Sequence, residues 1–129
     1  VREYDFPWPN EIKGYSLFPE ELESDPLVLF HGTPERNLVS IIDEGFKACS
    51  NLPSVSYAKN SIGSLHHVCA VRRLVYGETS ENHVVIAVKF DSLQKPGIVV
   101  NNIDIHVYKD DIQPEIIGYC IVPQSYKHK

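Results

Sequence analysis

The chain has 129 residues, enough for one compact domain. With 43% hydrophobic and 22% charged residues it lies near ordinary globular values, so a packed core is expected and global disorder is not. No apolar run approaches the ~20 residues of a membrane-spanning helix, so no membrane partner is expected. No basic segment followed by an apolar one marks a secretory leader.

A net charge of -5 provides no long-range attraction for a phosphate backbone, so nucleic acid is a disfavoured partner. The chain starts at Val1 and contains no methionine, which reads as a piece of a longer protein or a processed product. Cys49, Cys69 and Cys120 are odd in number, widely spaced and without a CxxC. That argues against a disulfide framework or zinc site, and each reads as a small buried residue. His66 and His67 are adjacent, while His31, His83, His106 and His128 are scattered without HxxxH or HExxH spacing. No metal is expected.

Residues 1–26 carry Pro7, Pro9, Pro19 and Pro26 between Tyr4, Phe6, Trp8, Tyr15 and Phe18. Proline removes backbone donors while the aromatics need burial. The segment reads as an irregular arm packed along a domain of residues 27–129, with a short helix at Pro19–Glu23. Leu27–Phe30 is a continuous apolar run, as in a buried strand. Pro34 to Gly45 reads as a helix, with Thr33 as its N-cap, Glu35 at its positive end and Gly45 as its stop. Leu38, Ile41 and Ile42 would share its inner face.

Val55–Ala58 reads as a short strand and Ser61–Tyr76 as a helix with Leu65, Val68, Cys69 and Leu74 inward. Arg72 and Arg73, with Lys59, read as a solvated face. Gly77–Asn82 is a turn. His83–Asp91 is β-branched and strand-like, and Pro96-Gly97 is a turn. Ile98–Tyr108 holds two strand-like stretches, and Glu115–Val122 a last strand. In the second stretch Asn102, Asp104, His106 and Tyr108 alternate with Ile103, Ile105 and Val107, so the polar set faces solvent or a cleft. The mixed order of strands and helices predicts an α+β domain.

A histidine at the end of a buried strand, followed by Gly and Thr at a helix start, suits a polar ligand. Glycine admits close approach to its backbone groups, and the imidazole supplies a directional donor or acceptor. Taken alone, the trio suits a strand end and turn better than a ligand site.

The segment LFHGTPERNLVSIIDEGF, Leu29 to Phe46, resembles the first motif of the ADP-ribosyltransferases of the diphtheria toxin and poly(ADP-ribose) polymerase class. It carries His31, Gly32, Thr33, Asn37, Ile41, Gly45 and Phe46 in that order. SYAKNSIGSLHH, from Ser56 to His67, is similar to the family's aromatic-aromatic-Ala strand and following helix. Aligned on Ala58, it puts Tyr57 at one aromatic position, Ser56 at the other, Ser64 at the nicotinamide-binding serine and His67 at the stacking tyrosine. Asp111-Ile112-Gln113-Pro114-Glu115 looks like the turn that follows the family's catalytic strand. Counting back puts the catalytic glutamate at Ile103, or at Asp104 with one inserted residue, and neither is glutamate.

The resemblance implies split mixed β-sheets flanked by a few helices, with His31-Gly32-Thr33 flooring a nicotinamide pocket. It implies NAD⁺ as the substrate, so that the domain acts where NAD⁺ is available, as in the cytosol. Gly32 would bond the nicotinamide amide through its backbone, with Ser64 assisting, and His31 would bind a ribose hydroxyl. Tyr57 and His67 would sandwich the ring. Asp104 would stabilise the positive charge that develops on the ribose. Glu78 and Glu81, in the Gly77–Asn82 turn, could approach the pocket but read far more readily as a solvated loop.

The expected activity is mono-ADP-ribosyl transfer, most readily to a protein acceptor, as in a toxin or effector domain. Two other readings stand beside it. One is a member that has lost catalysis and binds NAD⁺ or a protein. The other is a relative of the RNA 2′-phosphotransferases, against which the acidic charge and the absence of an Arg-x-His-x-His run count.

Overall fold

The computed structural model describes residues 1–48, 51–74 and 81–126. The expectations for Cys49, Tyr76, Glu78 and His128, and for the side chains of Arg73 and Leu74, fall outside what is described.

The architecture is α+β. Its strands are β1 (Arg2–Tyr4), β2 (Val28–Pro34), β3 (Val55–Ala58), β4 (His83–Lys89), β5 (Ile98–Val100), β6 (Asp104–Val107) and β7 (Glu115–Val122). The helices are α1 (Glu20–Glu23), α2 (Leu38–Glu44) and α3 (Ser61–Leu74). The strands form one seven-stranded sheet in the order β1-β7-β4-β2-β3-β6-β5. All neighbours are antiparallel except β1, which runs parallel to β7.

The central strand explains the layering. His83 to Val88 are all buried, because β4 is covered on both faces and therefore reads as a run rather than an alternation. On one face Leu65, Val68 and Cys69 of α3 pack on Val28, Phe30, Val85, Ala87, Cys120 and Val122, joined by Leu17 and Phe18. On the other face Leu29, Tyr57, Val84, Ile86, Val88 and Ile105 meet Leu38, Phe46 and Phe90.

The resemblance implied two split sheets, and the strands instead make a single one. Its continuity is narrow, however. β2 pairs with β4 over its whole length but meets β3 only at Phe30↔Ala58.

Five local expectations change. The arm is not wholly irregular, since Arg2–Tyr4 add an edge strand to β7. Gly118 permits it: a Cβ there would stand 2.5 Å from the Arg2 carbonyl oxygen. Trp8 stays 51% exposed although its neighbours Phe6 and Tyr15 pack on the core.

Thr33 is not a helix cap. Pro34 still pairs with His83 and the Glu35 N–H donates to the Asn82 carbonyl (3.0 Å), so ladder bonds hold the chain extended. A 3-10 turn, Glu35–Asn37, then leads into α2. That later start leaves Leu38 and Ile41 inward and Ile42 40% exposed.

Arg72 is buried at 5% exposure rather than solvated. Its guanidinium donates to the carbonyls of Val122 (2.8 Å), Pro123 (2.9 Å) and Tyr126 (3.3 Å) and to His83 Nδ1 (3.1 Å). The planar fork of an arginine suits such a set of acceptors, and it fastens the end of β7 under α3.

Candidate functional site

A cleft of about 580 Å³ opens where β2 and β3 part, within the ~300–1,000 Å³ of small-molecule sites. His31, Gly32 and Thr33 of β2 line it, with Ser56 and Tyr57 of β3, Ser64 and His67 of α3, Phe46 after α2, and Ile103 and Asp104 at β6. His31, Gly32, Thr33, Tyr57, Ser64, His67 and Asp104, singled out from the sequence, thus border one cavity.

The β2 backbone explains why the cleft is polar at its floor. The Leu27 carbonyl accepts from the Phe90 N–H (3.0 Å), and the Glu35 N–H donates to Asn82. In an antiparallel ladder the backbone groups alternate in direction. The odd-numbered residues of β2 therefore point their N–H and C=O at β4. Gly32, at an even position, turns both groups toward β3, where the ladder has already ended at Phe30↔Ala58.

Continuing that register would set Ser56 opposite Gly32. Instead the Ser56 carbonyl accepts from His31 Nδ1 at 2.8 Å. The imidazole takes the acceptor that would otherwise continue the ladder, and this keeps the sheet open.

A carbonyl can only accept, so His31 Nδ1 carries the proton and Nε2 of the neutral ring is an acceptor. Burial pushes the His31 pKa down, the Ser56 bond opposes this, and His67 nearby adds to the lowering. The ring packs edge-on to Phe46 at 5.2 Å and lies 5.6 Å from Tyr57.

Gly32 has a packing reason as well as an open backbone. A Cβ there would stand 2.8 Å from Val68 Cγ2 and 3.2 Å from the Ser64 carbonyl oxygen. The missing side chain lets α3 press against β2 and brings Ser64, itself buried, beside the floor. α3 is held there from below: the Ser61 hydroxyl donates to Glu23, the Ser61 N–H to the same carboxylate (3.2 Å), and the Leu17 N–H to Ser61 Oγ (2.9 Å).

Tyr57 is not a wall on which a ring can stack. It is 1% exposed, edge-on to Phe46 (5.4 Å) and Phe90 (5.3 Å). Its hydroxyl has no hydrogen-bond partner among the described residues, and burial raises its pKa. Strand alternation turns its neighbour Ser56 outward instead, and Ser56 is exposed in the cleft. His67 is exposed at the cleft's edge.

Of the two positions open for a carboxylate, Ile103 is 80% exposed and precedes β6, while Asp104 begins it. Asp104 Oδ1 accepts from Asn101 Nδ2 (3.0 Å), and Oδ2 from His106 Nε2 (3.1 Å). The Asn101 bond, above all, lowers the pKa of this carboxyl and keeps it ionised. Glu81 pairs with Arg36 and is not part of the cleft wall.

Three residues to which sequence reasoning gave no role in the site shape it. Ser54 lines the cleft and bonds His106 Nδ1 at 2.9 Å. Gln113 grips Phe46. Phe46 entered only as a motif position. No local pattern marks a contact across such distances in sequence.

Comparison with protein-family models and with curated proteins finds no match.

Proposed function

We propose that the chain is an NAD⁺-dependent mono-ADP-ribosyltransferase domain, with the split-sheet cleft of that class represented by the narrow junction at Phe30↔Ala58. One observation carries the reading: the Gly32 N–H and C=O face an open cleft beside a neutral His31. A carboxamide presents one acceptor and two donors, and a backbone N–H and C=O on one residue match it. Ser64 adds a hydroxyl at the same end. His31 Nε2, an acceptor, takes a ribose hydroxyl. His67 lies along the ring, and Phe46 supplies an apolar wall.

In the reaction the bond between nicotinamide and ribose breaks, positive charge develops on the ribose, and an acceptor adds to its anomeric carbon. Asp104 is the ionised carboxylate of the cleft wall, and its charge opposes the developing cation.

The test is direct. NAD⁺ raises the Tm by mass action if it binds the native state, and the chain releases nicotinamide. His31→Ala weakens the Tm shift while the unliganded Tm stays near that of the parent. No shift at millimolar NAD⁺ refutes the reading.

A second reading has its own support. Both Asp104 oxygens already accept hydrogen bonds and Ile103 occupies the other position, which favours a domain that binds NAD⁺ without cleaving it. A Tm shift with no nicotinamide release selects this reading.

A further inference from the structure

We propose that Ser54 is an activated nucleophile of the cleft and the site at which the domain ADP-ribosylates itself. The inference rests on the NAD⁺ reading above.

The geometry is a nucleophile, a base and an orienting acid in series. Ser54 Oγ lies 2.9 Å from His106 Nδ1, His106 Nε2 lies 3.1 Å from Asp104 Oδ2, and Asp104 Oδ1 holds Asn101 Nδ2 at 3.0 Å. A carboxylate can only accept, so in the neutral ring Nε2 carries the proton and donates to Asp104. Nδ1 is then an acceptor, and the Ser54 hydroxyl donates to it. That is the tautomer a general base needs. A serine hydroxyl is a weak nucleophile until such a base takes its proton.

The placement follows from the sheet. Ser56↔His106 and Ala58↔Asp104 are opposite pairs of β3 and β6, so His106 and Asp104 share a face. Ser54, just before β3, is buried and lines the cleft, as does the partly exposed Asp104. A buried hydroxyl bonded to a base, in a cavity proposed to hold an electrophilic sugar carbon, is placed to capture that carbon.

The step balances. Ser54 Oγ bonds to the anomeric carbon of the nicotinamide-bearing ribose. The carbon–nitrogen bond breaks and its electron pair leaves with nicotinamide, which becomes neutral. The hydroxyl proton passes to His106 Nδ1, and the imidazolium, stabilised by Asp104, returns it to water.

The experiment incubates the chain with labelled NAD⁺, measures nicotinamide release, and maps any ADP-ribosyl group by peptide mass spectrometry. The expected product carries one group on Ser54. Ser54→Ala abolishes labelling of that peptide, Ser54→Thr keeps it, and His106→Ala slows it about a hundredfold, the low end for loss of a general base, with the NAD⁺-induced Tm shift retained. Nicotinamide release with an unmodified Ser54 overturns this proposal alone and leaves the serine–histidine pair as a structural tie. No nicotinamide release overturns it together with transferase activity.

Discussion

The side-chain amide of Gln113 holds both backbone groups of Phe46, accepting from its N–H at Oε1 (2.8 Å) and donating from Nε2 to its carbonyl (2.8 Å). Nε2 also donates to the Asp110 carbonyl (2.7 Å). The turn before β7 is thereby tied to the segment that walls the cleft. The tie shapes Gly45 as well: its φ of +86° suits glycine, and a Cβ there would meet Gln113 Oε1 at 2.7 Å.

Gln113→Ala leaves two backbone groups of a buried residue without partners. The expected loss is about 1–3 kcal/mol of stability, read by urea denaturation. Because Phe46 walls the cleft, the NAD⁺-induced Tm shift should shrink in the same variant. A full ligand shift on a destabilised protein shows that Phe46 keeps its place unaided.

Gly32→Ala puts a methyl group 2.8 Å from Val68 Cγ2. Overpacking of this kind costs about 1–3 kcal/mol and pushes α3 from β2, taking Ser64 with it. Val68→Ala removes the nearer obstacle. The double variant should therefore lose less than the two single losses added together, as a double-mutant cycle reports. Additive losses exclude the clash.

Asp104→Ala should lower nicotinamide release about a hundredfold while changing NAD⁺ affinity much less, since the carboxylate acts on charge that arises in the transition state. Asp104→Glu keeps the charge and should retain more turnover. Steady-state kinetics on both variants decide the matter, because equal turnover in parent and variants removes Asp104 from the reaction.

Stability should fall as the solution is acidified below the ordinary histidine value of 6.5. Burial, with Arg72 second, lowers the pKa of His83, and burial lowers that of His31. His83 is 1% exposed, its Nδ1 accepts from Arg72, and Nε2 has no partner among the described residues.

The sign follows from linkage. Above 6.5 both rings are neutral folded or unfolded and contribute no pH dependence. Below it the unfolded chain binds protons that the native chain refuses, so stability drops until pH reaches the lowered native values. Melting temperatures between about pH 7.5 and about pH 5.5 measure the slope. His83→Gln should flatten it, and an unchanged slope assigns it to other groups.

Much of the fold was legible locally. Val55–Ala58 and Glu115–Val122 were read with the bounds that the strands have, because β-branched residues and turn residues mark short strands. The inward set Leu65, Val68 and Cys69 followed from helical period. Thr33 misled because the cap signal at Thr33-Pro34 is real chemistry in isolation, while the ladder partner His83 lies far along the chain. Arg72 misled for a similar reason, since its carbonyl acceptors come from Val122, Pro123 and Tyr126.

The candidate site divides the same way. His31 and Gly32 were legible as a strand end and a bare backbone, and Ser64 only through the resemblance. Their roles were not. That Gly32 faces an unpaired edge depends on where β3 leaves β2, and that Tyr57 is floor rather than wall depends on the face that β3 turns to Phe46 and Phe90.

By itself the sequence determined the α+β class and most strand positions, because propensity, period and turn chemistry act over a few neighbouring residues, while the resemblance pointed to His31, Gly32, Tyr57, Ser64, His67 and Asp104. Only the tertiary structure decided that one sheet opens between β2 and β3, that Ser54, His106 and Asp104 form a chain of hydrogen bonds, and that Gln113 holds Phe46. Except for the His106–Asp104 pair, two positions apart on β6, those contacts join residues dozens of positions apart. Their geometry is set by register and strand order, which no local pattern encodes.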